Sequence, residues 1–389
     1  MKKEFLLCIF IFGLLALIPN TSAIGESWLD DFDNRKAIVI TGASGAGTNY
    51  QLEINITYDS DMQTDFDDVR FTEADGITEL DYWIQEYTAS TYAMVWVEVR
   101  ANLTLNQTIY MYYGNSTVST TSNGLTTFPF FDDFDDNTLN ATKWYEDTSD
   151  GTVVEIANDV LVVTGGVASW ETYGAIPQFG SGHSFMFYSY FSAEAARVAL
   201  GIDDRSNDGN YEGSGIDDSK FNYVSSKTYK SRNDGTLEED ARTSTLTDYT
   251  VLETQYFSDK VEFYEDRVLV QTHDTQFPDT DVGHHFAAYD SRVITTDWVL
   301  TRKVVDVEPS YVIGEWNEVE EVIIYFSVPY DYWGLNMVLV FGGLILMLVS
   351  VCIVAVKVRD RTITQDSGML FLVLFCVGWG LFIGGTLIG

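Results

Sequence analysis

Two apolar stretches toward the C-terminus constrain this chain more than any other feature. Leu335–Val356 is an almost unbroken run of Leu, Val, Ile, Met and Gly, long enough at ~1.5 Å per helical residue to cross a ~30 Å hydrocarbon core. Met369–Gly389 is a second such run, set off by a short polar loop. The expectation is a two-helix transmembrane hairpin, with helices at 334–356 and 368–389 and a loop at 357–367. Lys357, Arg359 and Arg361 lie in that loop, whereas Glu315, Glu318, Glu320, Glu321 and Asp331 precede the first helix. The positive-inside rule therefore puts the loop in the cytoplasm and the preceding chain outside. Tyr325, Phe326, Tyr330, Tyr332 and Trp333, in a juxtamembrane segment at 319–333, suit the headgroup layer. Neither span holds Asp, Glu, Lys or Arg, so the hairpin reads as an anchor whose partner is membrane lipid, not an ion path. Gly380 with Gly384, and Gly385 with Gly389, give the small-xxx-small spacing of close helix packing.

The other end carries a second topological signal. Lys2 and Lys3 precede an apolar Phe5–Ile18 run and the small residues Thr21-Ser22-Ala23, so residues 1–23 read as a signal peptide cleaved after Ala23. The three cysteines, Cys8, Cys352 and Cys376, all fall in apolar runs, which leaves an ectodomain without disulfides, stabilised by its core. Small secreted animal modules usually carry such bridges, so the chain points to a prokaryote, archaeal or bacterial. Acidic side chains number 58 against 22 basic ones, a formal charge of -36, which repels polyphosphates and excludes a nucleic-acid partner.

Between these segments the period is two. Tyr50, Leu52, Ile54, Ile56 and Tyr58 alternate with Gln51, Glu53, Asn55 and Thr57, the pattern of a half-buried strand. Short runs of the same grammar recur to residue 318, and Asp75-Gly76 predicts a hairpin over 68–87. The expected fold class is an all-β ectodomain of two tandem β-sandwiches at 24–127 and 128–318. The boundary is placed where FPFFDDFDDNTLNATKWY changes the composition.

The segments DVRFTEADGITELDYWIQEY (68–87), AMVWVEVR (93–100) and TIYMYYGN (108–115) resemble the domain of unknown function 2341 family over about residues 28–120. That resemblance implies a β-sandwich of unassigned role in secreted or membrane-bound prokaryotic proteins. The following module, opened by FFDDFDD and closed by DWVLTRKVVDVEPSYVIGEW (297–316), resembles the concanavalin A-like lectin and glucanase sandwich. It implies a jelly-roll whose concave face takes up carbohydrate in many relatives, sometimes with structural calcium.

Glucanases of that fold carry Glu-x-Asp-x-x-Glu on one strand. Here Glu238 and Asp240 come nearest, with Thr243 in the third place, and the sequence also lacks a Gly-x-Ser-x-Gly elbow, a zinc helix and a phosphate loop. The expectation is a non-enzyme. Trp144, Trp170, Tyr173, Tyr211, Tyr223 and Tyr229 are the aromatics that could stack on sugar rings, set against packing between sheets. Asp132, Asp133, Asp135 and Asp136, and separately Asp204 and Asp208, offer oxygen ligands for calcium, set against solvated acidic turns. His284 and His285 beside Asp281 suggest a metal site, but adjacent strand residues point to opposite faces and would not share one ion, so they read as ordinary surface histidines. Asn55, Asn102, Asn106, Asn115 and Asn140 begin glycosylation sequons. The leading expectation is a membrane-anchored, extracellular glycan-binding or adhesion protein whose partners are carbohydrate or other envelope proteins. A structural envelope component or accessory subunit of a membrane assembly is the alternative, and a glycoside hydrolase the further one.

Overall fold

Alternating burial makes strands of most ordered segments. In Tyr50–Thr57 the apolar Leu52, Ile54 and Ile56 are buried and Asn55 and Thr57 are exposed, as the period-two pattern requires. The computed structural model describes residues 29–147, 153–166, 171–192, 197–204, 218–223 and 226–314. The leader, the juxtamembrane segment, both apolar C-terminal stretches and their glycine pairs lie outside the described residues, among which no helix is long and apolar enough to cross a membrane.

The first sandwich contains β1 (Asn34–Thr41), β2 (Tyr50–Thr57), β3 (Arg70–Thr72), β4 (Tyr82–Thr88), β5 (Tyr92–Val99) and β6 (Gln107–Tyr113), followed by the one-turn helix α1 (Gly124–Thr127). The second contains β7 (Phe130–Asp132), β8 (Trp144–Asp147), β9 (Val153–Ile156), β10 (Leu161–Thr164), β11 (Glu171–Ala175), β12 (His183–Phe191), β13 (Val198–Asp203), β14 (Asp218–Tyr223), β15 (Lys227–Asn233), β16 (Thr236–Ala241), β17 (Thr250–Tyr256), β18 (Val261–Glu265), β19 (Val268–His273), β20 (Gly283–Ala288) and β21 (Val293–Lys303). One strand remains, β22 (Ser310–Ile313).

β22 corrects the domain boundary. It pairs antiparallel with β1, Ile38 opposite Ile313 and Ile40 opposite Tyr311, so the chain returns to its first module after completing the second. The first sandwich is thus a sheet ordered β22-β1-β6-β3 facing a sheet ordered β2-β5-β4. The second module is inserted in it and does not simply follow it. The expected 68–87 hairpin is also corrected. Asp75 caps the turn, its Oδ1 accepting from the amides of Ile77 at 3.0 Å and Thr78 at 2.9 Å. β3, however, pairs with β6 and β4 with β5. The two strands lie in opposite sheets, from which Phe71 and Tyr82 meet in the core with ring centroids 5.4 Å apart.

The second sandwich is an eight-stranded antiparallel sheet facing a seven-stranded one. The first runs β19-β18-β17-β12-β21-β10-β9, with β7 beside β21, and the second runs β16-β15-β14-β13-β20-β11-β8. Phe185, Phe187, Leu200, Phe221, Leu252, Phe263, Phe286 and Val299 fill the space between them. The outer face of the eight-stranded sheet is apolar at Met186, Val251, Trp298, Leu300 and Phe131 of β7, where it packs on Trp83 and Trp96 of the first module and on Phe128, which follows α1. That aromatic seam joins the two sandwiches.

Candidate functional site

The seven-stranded sheet has one apolar face and one polar face. On β13, Val198, Leu200 and Ile202 enter the core, so Ala199, Gly201 and Asp203 point the other way. Register then decides the neighbours: Asp203 lies opposite Asp218 and Gly201 opposite Lys220, Gly201 opposite His285, and Asp218 opposite Arg232. Gly201 lets β14 approach closely, since a Cβ there would sit 2.1 Å from the Ser219 carbonyl oxygen. Lys220 Nζ bonds Asp203 Oδ2 at 2.7 Å and Asp218 Oδ2 at 3.1 Å, and Arg232 Nη1 reaches Asp218 Oδ2 at 3.2 Å. The side chains are 1 % (Lys220), 7 % (Asp203) and 1 % (Asp218) exposed. Burial opposes the lysine's charge, but the two carboxylates outweigh it and hold its pKa above the ordinary value. Asp218 Oδ1 and His285 Nδ1 are buried without a hydrogen-bond partner. Because both carboxylates touch one nitrogen, their bonded oxygens are no farther apart than those two distances end to end. Sequence reasoning missed this set. Its one signal was the alternation of Asp218, Lys220 and Asn222 within a strand.

The histidine expectation is corrected. His284 and His285 do point to opposite faces, yet both are buried. His284 lies among Phe130, Phe185 and Phe187, with Nε2 3.1 Å from the Leu300 carbonyl oxygen. Burial pushes both imidazoles down to about 3. Each is therefore neutral in the fold and binds a proton on unfolding below the ordinary value of 6.5. Their stabilising contribution is complete above pH 6.5 and declines as pH falls towards 3, by about 1.4 kcal/mol per pH unit for each ring. Urea unfolding between pH 7 and pH 4 should show this loss, and His284→Phe should flatten the slope; an unchanged slope would count against it.

The aromatic candidates divide. Trp144, Tyr173 and Tyr229 are buried core residues. Trp144 stacks on Tyr173 at 5.0 Å, and its indole Nε1 donates to Asp132 Oδ2 at 2.7 Å. Trp170 and Tyr211 lie outside the described residues, as does the side chain of Tyr223. Of the aspartates, Asp132 is buried under Trp144, while Asp136 Oδ1 accepts from the Thr138 amide at 2.8 Å. Burial first, and neighbouring acids second, raise the carboxyl pKa values of Asp133 and Asp135. Asp204 follows β13, and Asp208 lies outside the described residues. Among the described residues, these acids do not converge as a set of three ligand atoms. Among the described residues, that convergence occurs at Glu238, Asp240 and His273. Of the sequon asparagines, Asn55, Asn102 and Asn106 are exposed, and Asn115 and Asn140 are half-buried, their Oδ1 atoms accepting from the amides of Thr117 and Thr142 at 3.0 Å.

A cleft of about 300 Å3 opens between the modules, lined by Gln51, Glu53, Trp96, Gln255, Glu262, Tyr264, Arg302 and Glu308 among others. Arg302 bridges Glu253 at 2.9 Å and Glu308 at 2.8 Å and lies over the Trp96 ring. Its carboxylates are thus already paired.

The family model described as a domain of unknown function, DUF2341, matches residues 65–147. That span covers much of the first sandwich and the start of the second. No curated protein matches. Among solved structures, similarity is found to a Bacillus licheniformis β-glucanase, at 14% identity over 45% of this chain and 98% of that one, with a TM-score of 0.36. A Mycobacterium marinum β-1,3-glucanase gives 13% identity over 45% and 98%, with a TM-score of 0.34. A structure titled for endo-acting O-glycanases of the human gut microbiota gives 12% identity over 46% and 100%, with a TM-score of 0.36. The expectation of a non-enzyme is corrected by these comparisons, since the structures found similar are titled glucanases and glycanases.

Proposed function

We propose that this chain acts on glycans as a glycoside hydrolase displayed on the outer side of a cell membrane, with its site on the polar face of the seven-stranded sheet. The observation that carries the reading is the Asp203–Lys220–Asp218 arrangement, two buried carboxylates held across β13 and β14 by one lysine, the kind of paired groups a retaining glycosidase uses. One carboxylate attacks the anomeric carbon and the other, protonated, gives its proton to the leaving oxygen. Water then resolves the glycosyl-enzyme with the second residue acting as base. Asp218 retains one oxygen without a hydrogen bond, the acceptor that such a step uses. Display on the surface is supported by the leader and by the basic loop between the two apolar stretches.

A second reading is favoured by the burial of Lys220. In it the same charges form an internal ion-pair network that fixes the register of β13, β14 and β15, and the chain is a structural envelope component. One experiment separates the two. Intact cells bearing the full chain are given soluble β-glucans and mucin O-glycans, with reducing ends and product anomer followed by NMR, before and after protease treatment of the cells. The hydrolase reading expects retained-anomer products, loss of activity on shaving, and at least a hundredfold fall in rate in Asp218→Asn. Absence of cleavage, with Asp218→Asn changing only the melting temperature, would sink it in favour of the network.

A further inference from the structure

Away from that face, the free edges of the second sandwich's two sheets meet. β16 ends the seven-stranded sheet and β19 ends the eight-stranded one. Glu238 and Asp240, two apart on β16, fall on the same side of the strand, and His273 closes β19. The ligand atoms of the three lie within 4.8 Å of one another. We propose that Glu238, Asp240 and His273 bind a divalent transition-metal ion of the zinc type, which clamps the two sheet edges together.

The histidine carries the argument. His273 is 0 % exposed, and its Nε2 has no hydrogen-bond partner. Its Nδ1 lies 2.5 Å from Ser231 Oγ. Ser231 Oγ donates its own proton to the Gln276 carbonyl oxygen at 2.5 Å, so it accepts from His273 Nδ1–H. That fixes the tautomer: the proton is on Nδ1 and the lone pair is on Nε2. Burial disfavours a second proton on the ring. The bare Nε2 lies 3.4 Å from Asp240 Oδ2, two electron-rich atoms facing each other without a proton to share. Around a tetrahedral ion with ~2.0–2.1 Å bonds, neighbouring ligand atoms stand about 3.3–3.4 Å apart. The opposition becomes coordination once a cation sits between them.

The supporting shell has the same character. A ligating imidazole ordinarily donates its other N–H to an oxygen that sets its orientation, and Ser231 does this here. Asp240 Oδ2 is steered by Gln271 Nε2 at 3.0 Å. Glu238 Oε2 accepts from Thr275 Oγ1 at 2.6 Å, from the Thr275 amide at 3.1 Å and from the Gln276 amide at 2.9 Å. One neutral imidazole with two carboxylates suits zinc and its neighbours better than calcium or magnesium, which take oxygen donors alone. The site is independent of Asp203 and Asp218, so the test is binding and not activity.

Purified full-length chain, stripped with chelator and equilibrated with zinc chloride, should retain one zinc per chain by elemental analysis and melt at a higher temperature than the stripped protein. Cobalt(II) should give the intense visible absorption of a four-coordinate ion. Asp240→Asn, at an exposed position, should weaken zinc at least tenfold with the stripped protein's melting temperature unchanged, and Glu238→Gln should act alike. The proposal is overturned if zinc stays far below one per chain, if both variants bind it as the parent does, or if calcium binds there in its place.

Discussion

Lys220→Met should lower the unfolding free energy by about 3–5 kcal/mol, because it removes the buried ammonium that lies between two carboxylates. Lys220 is the common partner of Asp203 and Asp218, and all three are nearly inaccessible. Arg232 would remain on Asp218 at 3.2 Å, but Asp203 would lose the 2.7 Å bond that Lys220 supplies. The double replacement Lys220→Met, Asp203→Asn, which keeps the Asp218–Arg232 pair, should recover most of the loss, since it removes the ammonium and the carboxylate that it bonds at 2.7 Å together. Urea titrations of the three proteins measure this. A single variant within about 1 kcal/mol of the parent would show that the ions are reached by water, for a buried counter-charge cannot be removed so cheaply.

Trp298→Ala should cost a similar ~3–5 kcal/mol and should also uncouple the two sandwiches. The indole is 6 % exposed and crosses the seam, edge-to-face with Trp83 at 5.4 Å and stacked on Tyr188 at 5.7 Å. Removing it deletes the ring contact between β21 and Trp83 and leaves a cavity that aromatic rings on both sides cannot collapse to fill. Calorimetry should show one unfolding transition in the parent and two in the variant. Val268→Ala, at a site 63% exposed, should stay within about 0.5 kcal/mol. A single unshifted transition in Trp298→Ala would mean that the seam does not couple the modules.

The sequence by itself determined the local character of this protein. Leu52, Ile54 and Ile56 alternating with polar neighbours could bury one face only as a strand, and Asp75-Gly76 made a turn whatever lay on either side. Tertiary structure decided everything that depends on which strand lies beside which. Nothing in SYVI at 310–313 announces that it pairs with a strand near residue 38, because register is set by the sheet and not by the pairing segment. Trp144 and Tyr173 looked as well suited to a sugar as to a core, since an aromatic ring has the same composition in both places. Asp203 and Asp218 were two acids among fifty-eight, and Glu238 and Asp240 an incomplete motif, until β13–β14 pairing and the meeting of two sheet edges gave them Lys220 and His273. Periodicity is a property of neighbours along the chain. A site is a property of neighbours across it, and only packing supplies those.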